Sequence, residues 1–131
     1  MEYLAVLVAG VASYAFGAGW YMMLAKPWMA AAGIEADENG RPAQGGGAMT
    51  YLLAFAAAVL VAGMMRHVFV LSNIDTAMKG LVSGLGLGLF IASPWIMINN
   101  AFGGRPFRLT LIDGGYATFG CAIIGLVLTL F

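Results

Sequence analysis

Four apolar runs, each long enough to cross a lipid bilayer, fall within a chain of 131 residues, and they limit its fold more than any other feature. A helix needs about 20 mainly apolar residues to cross roughly 30 Å of hydrocarbon. Residues 3–24 and 80–102 carry no charge at all. Residues 50–71 are interrupted near their end by Arg66 and His67, and residues 109–131 near their start by Asp113. Amphipathic soluble helices keep a polar stripe, and these runs do not. Strands of a membrane barrel alternate apolar and polar over ~10 residues, which none of the runs does. The chain is therefore expected to be all-α, a single transmembrane domain over residues 1–131 with spans at 3–24, 50–71, 80–102 and 109–131. Composition agrees: 62% of residues are hydrophobic and 9% charged, against roughly 25% charged in soluble domains. So short a soluble chain could not hide that much apolar surface. The opening Met-Glu-Tyr lacks a basic region, and the first run exceeds the ~7–15 residues of a signal's apolar core, so it is read as a span.

The connections are unequal. The first loop, residues 25–49, opens with Lys26-Pro27-Trp28 and Met29-Ala-Ala-Ala-Gly33, which predicts a short helix along the membrane interface. Glu35-Ala-Asp-Glu-Asn-Gly-Arg-Pro42 and Gly45-Gly-Gly47 then read as a polar, mobile segment. The second loop offers Ser72, Asn73 or Asp75 to cap the third span. The third, Gly103-Gly-Arg-Pro-Phe-Arg108, is a tight turn, and no internal repeat stands out beyond the pairs Arg41-Pro42 and Arg105-Pro106. Lys26, Arg41, Arg105 and Arg108 flank the spans on one side, against Arg66 and Lys79 on the other. The positive-inside rule then places loops 25–49 and 103–108 in the cytoplasm and both termini opposite. Trp20, Tyr21 and Trp28 are expected to form an aromatic belt on the cytoplasmic side.

Small residues recur at a spacing of four, which puts them on one helical face. The third span carries Gly80, Gly84, Gly88 and Ala92, and the first carries Ala5, Ala9, Ser13 and Gly17. Ala54, Ala58 and Ala62 do the same in the second span, and Ala117, Cys121 and Gly125 in the fourth. In lipid no hydrophobic force drives helices together, so close backbone approach matters, whether within the chain or against a partner. Pro94 is expected to kink the third span, its lost hydrogen bond relieved by Ser93 or neighbours.

Ionisable and polar residues inside a span mark candidate chemistry. Asp113 shares a helical face with Tyr116, three residues on, and lies at the same membrane face as Asn99, Asn100, Arg105 and Arg108. These six form a candidate polar pocket at the mouth of the bundle. The plainer reading pairs Asp113 with a loop arginine to pin the turn. Arg66 can snorkel to the interface and His67 can bond locally. The sharper reading makes His67 an axial ligand to haem or chlorophyll. Nine methionines are scattered without a ligand ladder, and Cys121 reads as a packing residue. No metal site, phosphate loop, nucleophile elbow or paired carboxylates are found. Balanced charge, six basic and six acidic residues, argues against nucleic acid. Small four-span multidrug transporters are similar in size but depend on a glutamate within the first helix, where this span has no acid beyond Glu2.

Two stretches carry a family resemblance. Gly17-Ala-Gly-Trp-Tyr21, with Lys26-Pro-Trp28 and Gly33, resembles the end of the first helix in domain-of-unknown-function family 1761. Asn100-Ala-Phe-Gly-Gly-Arg-Pro106 and Leu111-Ile-Asp-Gly-Gly-Tyr116 resemble its last turn and the start of its last helix. The likeness covers essentially the whole chain and implies a small four-helix membrane protein without an assigned activity. It also implies Asn in many members where this chain has Asp113.

The leading expectation is a non-enzymatic membrane protein that works by helix association, as an accessory subunit of a larger complex or as a homo-oligomer. It would bind lipids and other membrane proteins and need no cofactor. The alternative is an oligomeric small-molecule or ion transporter or channel, with its path at Asn99, Asn100 and Asp113.

Overall fold

The computed structural model of the protein describes residues 2–40 and 47–131. Arg41, Pro42, Gly45 and Gly46, part of the polar segment of the first loop, lie outside the described residues. The helices are α1 Glu2–Met23, α2 Ala25–Ala32, α3 Ala48–Leu71, α4 Ala77–Leu87, α5 Ser93–Phe102 and α6 Phe107–Leu128. A π-helical stretch, Gly88–Ala92, joins α4 to α5 into one apolar span, Ala77–Phe102. Four helices are therefore long and apolar enough to cross a membrane, and the expected all-α bundle is the fold.

Three helices end alike. In α2 the Ile34 amide donates to the Met29 carbonyl at 2.9 Å, with Gly33 left-handed at φ 74°. In α3 the Ile74 amide reaches the Phe69 carbonyl at 2.9 Å over Asn73, at φ 55°. In α5 the Arg105 amide reaches the Asn100 carbonyl at 2.9 Å over Gly104, at φ 71°. This six-to-one closure satisfies terminal carbonyls, and it needs Gly or Asn at the left-handed position. At the start of α4, Thr76 is the cap: its hydroxyl accepts from the Lys79 amide at 3.3 Å. The sequence offered Ser72, Asn73 or Asp75 for that role, but the first two are held in the closure of α3. Only the residue directly before the helix can reach its third amide.

Pro94 acts through the turn before it. Without an N–H, and with its ring pressing on the preceding turn, proline cannot continue a regular α ladder. The helix widens instead, and the Ser93 amide bonds to the Gly88 carbonyl five residues back. Ser93 does not relieve its own helix as expected. Its hydroxyl crosses to α6, donating to the Gly114 carbonyl at 3.0 Å and meeting Thr118 Oγ1 at 3.0 Å.

Helix α6 is the axis of the bundle. It carries the most buried positions and packs on one side against α4, the π stretch and α5, and on the other against α1 and part of α3. Every expected glycine of the third span is used there. A Cβ on Gly80 would strike the Gly125 carbonyl, one on Gly84 the Cys121 carbonyl, and one on Gly88 the backbone of Thr118. Ala92, one turn on, is half-buried. The face of α1 is buried as well: Ala5 and Ala9 join Ala62, Met65, Phe69, Ile124 and Leu128 in the core. Ser13 lies against Gly120, and Gly17 against the Tyr116 ring. On these two faces the small residues pack within the chain, one of the two uses that their spacing left open. Both faces are filled from within, by the α6 backbone at Thr118, Cys121 and Gly125 toward α4, and by Tyr116, Gly120, Ile124 and Leu128 together with α3 toward α1.

Candidate functional site

The six residues expected at one polar mouth do not form one cluster. Asn99, Arg105 and Arg108 are exposed, while Asn100, Asp113 and Tyr116 are half-buried. Asn100 turns toward the α5–α6 side and donates to Thr110 Oγ1 at 3.2 Å. Asp113 faces α1, where the Tyr21 hydroxyl donates to its Oδ1 at 2.6 Å. The expected arginine partner is absent from this contact. Arg105 instead donates to the Ala32 carbonyl, at the C-terminal end of α2. A cation there meets an unsatisfied carbonyl and the negative end of the helix dipole. Arg108 lies five residues before Asp113, on roughly the opposite side of α6.

Tyr116 takes part through its ring. It stacks on Phe16, with centroids 6.2 Å apart and planes 19° apart, and meets Tyr21 edge-on at 5.5 Å and 67°. Tyr21 in turn meets Trp28 of α2 edge-on at 5.8 Å and 75°. Trp20 lies over Gly115 and donates its indole N–H to the Ile112 carbonyl at 2.9 Å. Trp20 and Tyr21, two members of the expected aromatic belt, are both half-buried against α6. The reason is geometric. Gly17 leaves a seat on α1 for Tyr116, and Gly115 leaves one on α6 for Trp20. Each aromatic ring rests on the other helix's glycine.

Sequence reasoning missed Tyr21, Thr110 and Thr118 as bonding partners and found Ser93 for the wrong bond. A signal for Tyr21 was present: a glycine one turn before Trp20-Tyr21 and another beside Tyr116 form a matched set. Nothing comparable marked Thr110 or Thr118. His67 is exposed on the outer side of α3, one turn from its end. Among the described residues no three of His, Cys, Asp and Glu stand together as metal ligands.

The stretches that carry the family resemblance are thus the ones in contact. Gly17, Trp20 and Tyr21 dock on Ile112, Asp113, Gly115 and Tyr116, and the Arg105 turn grips α2. A family model described as "Protein of unknown function (DUF1761)" matches residues 4–129, and the chain belongs to that family. No curated protein and no solved structure matches it.

Proposed function

We propose that this DUF1761 member is a non-enzymatic integral membrane protein that works by associating with other membrane-spanning helices. It would be an accessory subunit of a larger complex or a self-associating protein, binding lipid and protein rather than nucleic acid and needing no cofactor. One observation carries the reading. The first part of α3, residues 48–57, is exposed except for half-buried Phe55, which meets Tyr14 edge-on at 5.7 Å. The second part anchors the helix through Ala58, Ala62, Met65 and Phe69. A helix held along half its length leaves the rest free for a neighbour, and exposed Ala54 and Ala57 allow close backbone approach. By the count of Lys and Arg, the start of α3 and loop 103–108 are placed at the cytoplasmic face.

Native mass spectrometry after gentle extraction from the protein's own membrane tests this. The expected result is a defined oligomer or larger complex for the wild type, reduced to monomer by Ala54→Leu with Ala57→Leu. Thermal stability should be unchanged, since neither position is packed. Monomers from both chains would overturn the reading.

A second reading, an oligomeric small-molecule or ion transporter or channel, is favoured by Asp113. This carboxylate lies inside a span with Tyr21 as its hydrogen-bond donor and, among the described residues, no cation in ion-pair range. Asp113→Asn is then expected to abolish flux in reconstituted vesicles while leaving the complex intact. Retained flux would remove that reading.

A further inference from the structure

Asp113 sits six residues into α6, about 9 Å along the helix at ~1.5 Å per residue. That is near the edge of the hydrocarbon, beside the short helix α2. One of its oxygens accepts from Tyr21, and among the described residues the carboxylate makes no other hydrogen bond. Tyr21, its donor, meets Trp28 edge-on at 5.8 Å and Tyr116 edge-on at 5.5 Å, and Tyr116 stands three residues on from Asp113, on the same face of α6. All four side chains are half-buried, so the group remains reachable from outside the α1–α6 seam. A carboxylate at membrane depth calls for a positive partner, and the nearby arginines are placed elsewhere.

The chemistry of the surroundings selects the partner. A divalent metal wants several oxygen ligands, and among the described residues Asp113 belongs to no group of three His, Cys, Asp or Glu side chains. A single carboxylate whose hydrogen-bond donor belongs to an aromatic cluster suits a bulky, weakly hydrated cation instead. We propose that Asp113, with Tyr21, Trp28 and Tyr116, binds an organic ammonium group, brought by a lipid headgroup or by a free small cation. The carboxylate supplies the charge, and the Tyr21 hydroxyl holds it in place. The rings take up the alkyl surface of the cation. The proposal holds for either functional reading above, because a bound ammonium need not cross the membrane.

The test uses full-length protein in phosphatidylglycerol nanodiscs, which lack ammonium headgroups, with tryptophan fluorescence read during titration with choline and tetramethylammonium. A saturable change is expected with both, and none with 3,3-dimethyl-1-butanol, the uncharged isostere of choline. Asp113→Asn, which keeps size and can still accept from Tyr21, should weaken binding at least tenfold. Trp28→Leu should weaken it several-fold and serves if the first variant fails to fold. Equal binding by the neutral isostere, an unchanged Asp113→Asn titration, or no saturable signal would overturn the proposal. The source follows from lipids retained on extraction from native membranes. Wild-type enrichment of ammonium-headgroup lipid over Asp113→Asn points to the headgroup; equal retention beside saturable choline binding points to the free cation.

Discussion

Helix α6 is gripped on its two sides by opposite means. Toward α4 the seam is made by what is missing: Gly80, Gly84 and Gly88 meet Cys121, Thr118 and Gly125 backbone to backbone. Toward α1, at the other end of the span, it is made by what is added: Phe16, Trp20, Tyr21 and Tyr116 interleave and bond to α6. Lipid is as apolar as any side chain, so neither seam gains from leaving water. The glycine seam relies on dispersion contacts summed along two close backbones. The aromatic seam relies on ring packing and two directed hydrogen bonds. The first should tolerate almost no added atom, and the second should lose strength gradually as groups are removed.

That contrast can be broken from either side. The largest effect is expected from Gly84→Leu, where the new side chain meets the Cys121 carbonyl directly. Overpacking costs about 1–3 kcal/mol in ordinary cores; here backbone blocks any adjustment, and loss of folded protein in detergent is expected. If Gly84→Leu instead folds with unchanged stability, the α4–α6 seam is not closed as described. Tyr21→Phe should be milder, with a loss of about 1 kcal/mol for the bond to Asp113 in thermal or steric-trap unfolding. A loss above that of Gly84→Leu would reverse the order of the two seams. Ser93→Ala sharpens the picture further, since it removes hydrogen bonds but leaves the α5–α6 backbones close. Interhelical bonds in membranes average about 0.6 kcal/mol, and a shift of that size is expected. Gly86→Ala is the control: nothing stands within 4 Å of its added Cβ. A gain of up to about 1 kcal/mol is expected from helix propensity alone, two residues from the position where a larger side chain should be ruinous.

Much of this was legible in order along the chain. The four spans follow from run length alone, and their ends differ from the expectation by at most three residues, as with Ala48 for 50 and Ala77 for 80. The short helix after Lys26 was visible, because Gly33 marks its end. The glycine stripe of the third span was visible too, but its occupant was not. Periodicity gives a face and says nothing of what covers it. The candidate site fared less well. Asn99, Asn100, Arg105, Arg108 and Asp113 lie at one end of the bundle, as the topology requires, yet their partners come from α1, α2 and α6 in separate pairs. Asp113 and Tyr21 are 92 residues apart, and no local pattern records such a bond.

The sequence by itself determined that the chain is helical, with four runs long and apolar enough to cross lipid, because each backbone polar group in hydrocarbon must find a partner within its own helix. That requirement is local, so it is written in consecutive residues. The tertiary structure decided that α6 is the axis, that the small-residue faces of α1 and α4 are filled from within, and that Tyr21 rather than an arginine holds Asp113. Those choices depend on which of several similar apolar faces meet, and among such faces only the detailed fit of ring to glycine and backbone to backbone separates one arrangement from another.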